Sequence, residues 1–215
     1  MSLKTLQIDI VSDVMCPWCI VGYKRLQQAL TAFADTQVQI TWHPFELNPN
    51  MGKQGQHLGE HLAKKYGSTP QQSQQNRANL TAIGKTLDIE FNFTDQSRIY
   101  NTFNAHQLLQ WAKLFNKQTE LKLALFDGYF TQQQNPDDIR VLLDIVDSVG
   151  LDRVEAEQVL ASQQFSESVR QEQALWQSRG ISAVPAIVLN QKYLISGAQS
   201  ADYLIEAIKQ SVKPD

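Results

Sequence analysis

The chain has 215 residues and a net charge of −3 at pH 7, and 42% of its residues are hydrophobic and 19% charged. That length suits one large domain or two small ones with a real hydrophobic core, and no basic excess or Lys/Arg run indicates binding to nucleic acid or to a membrane surface. Residues 1–5 lead directly into a predicted strand rather than a signal peptide, and no apolar run approaches the roughly 18 residues of a membrane helix, so we expect a cytoplasmic protein with no nucleic-acid or membrane partner.

A β-α-β unit is predicted at the start of the chain. Apolar and polar residues alternate over residues 5–12 and again over residues 37–42, which is the period of a half-buried strand. Between these strands an amphipathic pattern predicts a helix from Pro17 to about Phe33, and a proline is well tolerated in a first helical turn. A strand, a helix and a second strand therefore come first.

The segment from about Gln56 to Arg179 is predicted to be nearly all helix. Thr69 and Asn135 each precede a proline, and a capping residue followed by proline is the pattern of a helix start. Gly150 is predicted to end one of these helices, because glycine readily adopts the left-handed conformation found there.

The sequence again has the pattern of β-strands after Gly180. Residues 186–189 and 193–195 are rich in apolar side chains and flank a short polar turn, which predicts a hairpin. Ser200 is placed to cap a last helix.

Removal of the helical block leaves the element order of a thioredoxin-like sheet. We therefore expect an α/β protein, namely a thioredoxin-like fold with a large all-helical insertion between the second and third strands. The predicted thioredoxin-like domain is discontinuous, with residues 1–50 and 165–215 as its two parts and residues 51–164 as the insertion.

The most informative motif is the sequence Cys16-Pro17-Trp18-Cys19, which contains the only two cysteines of the chain. It lies between the first predicted strand and the first helix. A helix N-terminus carries unpaired N–H groups and a partial positive charge, and both stabilise a thiolate. We expect Cys16 to be the exposed, acidic thiol of a redox pair and Cys19 to close the disulfide. In a reducing compartment this spacing is typical of a catalytic or metal-binding pair rather than a structural disulfide.

The chain resembles the DsbA family of thioredoxin-fold oxidoreductases, and more closely its FrnE-like cytoplasmic branch. This branch is related to 2-hydroxychromene-2-carboxylate isomerases and kappa-class glutathione transferases. The resemblance is carried by four stretches: Asp13–Cys19 with Gly22, Trp42–Pro49, Asn101–Thr102 with Ala105–His106, and Gly180–Ala186.

The resemblance implies a thiol–disulfide oxidoreductase of the reductase or isomerase type. Cys16 would attack the disulfide of a protein or small molecule, and Cys19 would resolve the mixed disulfide. Val184-Pro185 would be the cis-proline loop facing the two thiols, and the Val184 backbone would pair with an extended substrate. No cofactor is implied beyond the redox-active disulfide, although glutathione is a candidate co-substrate, and both a monomer and a homodimer stay open.

Substrate contacts are expected from Pro17, Trp18, Val184 and Pro185. For His106 two interpretations stay open: a place in the active-site cleft, where it would also contact substrate, or a place on the helix surface.

Two departures from the family pattern bear on the chemistry. An acidic residue is commonly buried six positions before the first cysteine, but Ile10 occupies this position here. The pair between the cysteines, Pro17 and Trp18, also lacks the histidine that helps DsbA hold its thiolate. We therefore expect a less stable thiolate, and thus a more reducing pair, than in DsbA.

Alternative interpretations give the motif other roles. A zinc site would need further ligands, for which His57 and His61 are candidates, but their distance from Cys19 in sequence is far longer than in zinc fingers, so we expect no metal. A glutathione-dependent isomerase or transferase on the same fold is the main alternative function. A chaperone-like binding module is a third.

Overall fold

The computed structural model describes residues 5–212, so residues 1–4 and 213–215 of the predicted thioredoxin-like segments lie outside it. The elements in chain order are β1 (Thr5–Ser12), α1 (Pro17–Leu30), β2 (Gln37–Pro44), β3 (Gln56–His57), α2 (Leu58–Tyr66), α3 (Pro70–Lys85), β4 (Arg98–Ile99), α4 (Phe103–Ala112), α5 (Gln118–Phe130), α6 (Ile139–Ser148), α7 (Arg153–Ser162), α8 (Ser166–Ser178), β5 (Ala186–Leu189), β6 (Tyr193–Ser196) and α9 (Ala201–Ser211).

The central sheet has four strands in the order β2-β1-β5-β6. β1 pairs in parallel with β2 and antiparallel with β5, and β5 pairs antiparallel with β6. Leu6, Ile8 and Ile10 of β1 are fully buried, as their alternation predicts. The predicted β-α-β unit and hairpin are therefore confirmed.

The predicted insertion is also confirmed, because a long, mainly helical segment separates β2 from β5 in the chain. Its helices contribute Leu108, Trp111 and Leu142 to a second hydrophobic core, which also includes Val14 and Met15 of the turn before α1. α5 connects this core with that of the sheet, since Leu121 and Leu125 belong to the second core whereas Phe126 belongs to the other. Within residues 5–212, no helix is both long and apolar enough to cross a membrane.

The helix caps test the sequence patterns directly. Thr69 forms a reciprocal capping box with Gln72, and Ser200 accepts a hydrogen bond from the backbone of Tyr203, so both predicted caps are confirmed. The predicted cap at Asn135 is wrong: Asp138 caps α6 instead. Asn135 accepts a hydrogen bond from the backbone N–H of residue 137, two positions on, and therefore forms a turn before the helix.

The predicted run of helix is interrupted between α3 and α4. Residues 86–102 form a long connection whose only regular part is β4, which pairs with β3. α3 ends shortly before Asp88, which has a φ of 52°. Phe91 and Phe93 then stack on each other, with ring centroids 5.4 Å apart, so the connection is held by aromatic packing rather than by a helical repeat.

Candidate active site

The two thiols lie where β1 delivers the chain to α1. Cys16 is the N-cap residue of α1, with extended backbone angles, and Pro17 occupies the first helical turn. The backbone N–H of Cys16 donates to the carbonyl of Asp13 at 3.2 Å, and that of Cys19 donates to the carbonyl of Cys16 at 3.0 Å. The tight turn thus places both sulfurs at the positive end of the helix.

The expectation that Cys16 is exposed is wrong. Only 4% of Cys16 is accessible and Cys19 is fully buried, whereas Trp18 is 42% exposed. The Cys16 Sγ donates a weak hydrogen bond to the carbonyl oxygen of Val184 at 3.7 Å, because the loop before β5 lies directly against the helix start. Trp18 is therefore the exposed member of the motif, and Cys16 lies on the floor of a cleft.

The loop that faces the thiols contains a cis peptide bond between Val184 and Pro185. A side chain at Gly22 would place its Cβ only 3.3 Å from the Pro185 ring. The missing side chain on this turn of α1 thus allows the loop to approach closely. Val184 lines the cleft, whereas Pro185 is buried behind it.

A cleft of about 840 Å³ opens above Cys16, between α1, the loop before β5 and the helices α2 and α3 of the insertion. This is within the range of small-molecule sites. Three of the predicted substrate contacts, Pro17, Trp18 and Val184, belong to its lining. The rest of the wall is mainly apolar and includes Leu47, Leu58, Leu62, Leu80, Ile83, Phe93, Ile99, Tyr129 and Phe130.

The charged residues of this lining are basic. Lys65 and Arg77 line the cleft, and among the described residues of the lining none is acidic. Lys65 donates to the carbonyl of Leu47 and to the side chain of Asn48, and Arg77 contacts Asp95, which is almost fully exposed. The cleft therefore suits an apolar ligand with an anionic group better than a cationic one.

Asp13 is a buried carboxylate directly behind the thiols. It accepts a hydrogen bond from the backbone N–H of Leu47 at 2.7 Å and lies 3.6 Å from His106. Burial alone would raise the pKa of Asp13, but the hydrogen bond and charge of His106 and the Leu47 N–H outweigh burial, so its pKa lies below the usual value. Asp13 thus holds the chain segment after β2 against the active-site turn.

A substrate contact from His106 does not fit this geometry. Only 2% of His106 is accessible, and it is absent from the lining of the cleft. Its Nε2 lies 3.1 Å from the carbonyl oxygen of Phe45 and 3.6 Å from the Asp13 carboxylate. Both positions considered for His106, in the cleft and on the helix surface, are wrong, because its side chain is buried in a polar network with Asp13 and the Phe45 carbonyl.

The chain matches a known protein family along most of its length. The family model of the DsbA-like thioredoxin domain matches residues 7–209. The chain belongs to the DsbA-like thioredoxin family.

Individual relatives agree with this assignment. A probable DsbA oxidoreductase from Streptomyces coelicolor is 30% identical, with a TM-score of 0.90 over 98% of this chain and 92% of that one. The uncharacterized protein YwbO of Bacillus subtilis is 27% identical over 97% of this chain and 98% of its own length. A 2-hydroxychromene-2-carboxylate isomerase is 14% identical and shares the fold, with a TM-score of 0.72 over 95% of each chain.

In this DsbA-like protein Ile10 occupies the position of the buried acid in the family pattern, and a lysine of the insertion is buried against the sheet core. Ile10 is buried in the sheet core. Lys122 of α5 is fully buried, with its Nζ 5.4 Å from the ring centroid of Trp42 and 5.0 Å from that of Phe126. Sequence reasoning missed Lys122; the available signal was that Gln118, Lys122 and Phe126 are spaced four apart on one helix face.

Burial shifts the pKa values of Lys122 and Cys19 in opposite directions. Burial lowers the pKa of Lys122 to about 8, although the charges of Cys19, Asp13 and Cys16 act to raise it. Burial and the hydrogen bond to Cys16 raise the pKa of the Cys19 thiol well above its usual value, and Lys122 only partly opposes this. Cys19 is therefore a protonated thiol at neutral pH.

The histidines considered as metal ligands have other partners. His57 is the N-cap of α2 and accepts from the backbone of Glu60, so it does not share a helical face with His61. His61 hydrogen-bonds to Gln56. Among residues 5–212, no cluster of three His, Cys, Asp or Glu side chains is placed to hold a metal ion.

Proposed function

We propose that this protein is a cytoplasmic thiol–disulfide oxidoreductase that reduces or isomerises disulfides of a protein or small-molecule substrate. The observation that carries the proposal is the placement of two free thiols, Cys16 and Cys19, at the start of α1, with Cys16 on the floor of an open cleft. Membership of the DsbA-like family supports it.

The reaction follows from the placement of the two thiols, since Cys16 faces the cleft whereas Cys19 is fully buried. The Cys16 thiolate attacks one sulfur of the substrate disulfide, forms a mixed disulfide and expels the other sulfur as a thiolate, which takes up a proton. Cys19 then attacks the Cys16 Sγ, so the Cys16–Cys19 bond forms and the second substrate sulfur leaves. The substrate gains two electrons and the cysteine pair loses them, and a low-molecular-weight thiol such as glutathione restores the dithiol.

The substrate would lie across the mouth of the cleft. Trp18 offers an exposed aromatic surface beside Cys16, and Pro17 and Val184 form the adjoining walls. The Val184 backbone lies in the loop facing Cys16, where an extended peptide can pair with it.

Single-cysteine variants test the proposal. Cys16→Ser should abolish reduction of a protein disulfide such as that of insulin, whereas Cys19→Ser should accumulate a mixed disulfide that is visible by mass spectrometry. Far-ultraviolet circular dichroism of both variants controls for folding. Full turnover by Cys16→Ser would overturn the proposal.

The basic lining of the cleft favours one second candidate, a glutathione-dependent isomerase or transferase. Lys65 and Arg77 could bind the carboxylates of glutathione, whose own thiol would then be the nucleophile. The variant in which serine replaces both Cys16 and Cys19 distinguishes the two functions. If it still binds glutathione and still catalyses a glutathione-dependent reaction, the isomerase or transferase is favoured. If it loses all catalytic activity, the oxidoreductase is favoured.

A further inference from the structure

We propose that the cleft above Cys16 takes a small disulfide that carries an apolar group and a carboxylate, and that Lys65 selects the carboxylate. This inference rests on the proposed oxidoreductase function and names the substrate class of the same site. Three features carry it: the side chains that α2 and α3 present to the cleft, the hydrogen bonds that hold Lys65, and the depth at which Cys16 lies.

The wall contributed by α2 is apolar at one end and cationic at the other. Leu58, Leu62 and Lys65 follow one another at intervals of four and three residues, so they share one face of the helix, and all three line the cleft. Leu58 is buried, whereas Lys65 is exposed in the last helical turn. A ligand lying along this face therefore contacts alkyl side chains near one end of α2 and an ammonium group near the other.

Hydrogen bonds place the Lys65 ammonium beside the active-site turn. Its Nζ donates to the carbonyl of Leu47 at 2.8 Å, and the backbone N–H of Leu47 donates to the Asp13 carboxylate at 2.7 Å. The carbonyl of Asp13 in turn accepts from the backbone N–H of Cys16 at 3.2 Å. Since Lys65 and Cys16 both line the cleft, one small molecule can contact the cation and the thiol together.

The positive charge of Lys65 is available to a ligand. The oxygens that its ammonium binds, those of the Leu47 carbonyl and the Asn48 side chain, are both neutral. The described lining of the cleft contains no acidic residue either. A carboxylate that enters the cleft therefore gains a charge-assisted hydrogen bond without displacing an existing ion pair.

The wall contributed by α3 repeats this combination of charge and apolar surface. Arg77, Leu80 and Ile83 follow one another at intervals of three residues and all line the cleft. Arg77 donates to the buried Ser73 hydroxyl at 2.9 Å, and its ion pair with Asp95, at 3.5 Å, is weakened by water because that carboxylate is almost fully exposed. Arg77 is thus a second cation that faces alkyl side chains of the same wall.

The depth of the thiol favours a small molecule over a folded protein. Only 4% of Cys16 is accessible, and the cleft above it encloses about 840 Å³. That volume suits a drug-sized ligand, most of whose surface becomes buried on binding. A disulfide that is fixed on the surface of a folded domain reaches such a floor less easily.

The reaction is the reduction of this ligand by the dithiol of the protein. The Cys16 thiolate attacks one ligand sulfur, and the other half of the ligand leaves as a thiolate that takes a proton from water. Cys19 then loses its proton to water and attacks the Cys16 Sγ, and the second half leaves in the same way. The ligand gains two electrons and becomes two thiols, while the protein retains the Cys16–Cys19 disulfide.

A matched set of disulfides tests the substrate class in single-turnover reactions with the reduced protein. The set contains bis(4-carboxybenzyl) disulfide, its neutral analogue bis(4-carbamoylbenzyl) disulfide, and 3,3′-dithiodipropionate, which has carboxylates but no ring. Released thiols are quantified by chromatography after acid quenching, and each rate constant is divided by that of the same disulfide with free dithiothreitol. The carboxybenzyl compound should react about tenfold faster than either of the others, because it alone uses both the cation and the apolar walls.

Variants of α2 test the role of Lys65. Lys65→Gln should slow the carboxybenzyl compound about tenfold and leave the amide unchanged, and Arg77→Gln in addition should abolish the remaining preference. Lys65→Arg keeps the charge and should retain the preference. Lys64→Gln, an exposed neighbour that does not line the cleft, is the control. An equal loss for the acid and the amide would indicate a purely structural role and overturn the inference.

The remaining outcomes separate the substrate class from the function itself. Equal normalised rates for the three compounds, or faster reduction of insulin than of the carboxybenzyl compound, would overturn the inference and leave the oxidoreductase function intact. A preference that survives in the double variant would overturn it as well. If the protein reduces neither the small disulfides nor insulin, the proposed oxidoreductase function fails.

Discussion

The Cys16 Sγ lies 3.7 Å from the carbonyl oxygen of Val184, so two segments far apart in the sequence meet at this thiol. One is the start of α1 and the other is the loop before β5. Because the Val184 side chain also lines the cleft, this position offers a way to change the electrostatic environment of Cys16 without altering either cysteine.

Val184→Asp should make Cys16 a slower nucleophile at neutral pH. A carboxylate beside the thiol disfavours its charged form, and a rise of one pKa unit corresponds to a roughly tenfold loss of thiolate. The rate of alkylation by iodoacetamide as a function of pH measures this shift. Val184→Asn is the matched neutral control, and equal profiles for the two variants would contradict the prediction.

Trp18→Ala should weaken substrate binding without slowing the chemistry of Cys16. The indole is 42% exposed at the mouth of the cleft, so its removal takes away contact area rather than core packing. The expected result is a higher KM for a peptide disulfide, with an unchanged rate of Cys16 alkylation by iodoacetamide. Tyr203→Ala, which removes an exposed aromatic ring on α9, serves as the control. An unchanged KM would show that Trp18 does not contact the substrate.

Gln118→Leu should destabilise the fold. The variant leaves the backbone N–H and carbonyl of Trp42 without their partner, and each unsatisfied buried group costs about 1–3 kcal/mol. We expect the free energy of unfolding in urea to fall by about 2–5 kcal/mol. Gln71→Leu, at an exposed site on α3, should change it by less than about 0.5 kcal/mol. A loss as small as that of the control would contradict the proposed role of this contact.

The network of His43, Asp9 and Glu172 should make stability depend on pH at both ends of the range. Burial lowers the pKa of His43, but its hydrogen bonds to Asp9 and Glu172 at 2.8 and 3.0 Å outweigh this effect and raise it above 6.5. Burial likewise opposes ionisation of Glu172, yet His43 and Lys113 lower its pKa to about 2. The His43 contribution is complete below pH 6.5 and is lost as the pH rises through the folded value. The Glu172 contribution is complete above pH 4.5 and is lost as the pH falls towards 2.

Thermal unfolding between pH 2 and 9 measures this dependence. His43→Gln should remove the decline on the alkaline side and reduce the one on the acid side. Glu167→Gln, an exposed neighbour on α8, is the control. If the parent protein and His43→Gln have parallel profiles, the network does not couple to folding.

The sheet and its flanking elements could be predicted because their side chains repeat with simple periods. Leu6, Ile8 and Ile10 alternate as a strand requires, and Thr69 and Ser200 carry the local chemistry of a helix cap. The cap predicted at Asn135 failed because the same residue type also stabilises turns, and only the downstream backbone decides between the two.

The candidate site was less accessible to sequence reasoning than the fold. The cysteine motif and the loop at Val184 could be found because they are local patterns. The burial of Cys16, His106 and Lys122 depends on which segments pack against them, and none of these segments is adjacent in the chain. A lysine within a helix is normally interpreted as exposed, so the feature that makes Lys122 unusual is visible only in three dimensions.

The unequal exposure of the tryptophans gives this protein a built-in optical probe. Trp42, Trp111 and Trp176 are 2%, 1% and 4% accessible, whereas Trp18 is 42% accessible. A water-soluble quencher such as iodide therefore collides with one indole only, that of Trp18, which lines the cleft beside Cys16. The quenched fraction of the fluorescence reports occupancy of the cleft directly, so ligands can be ranked without a label and without turnover.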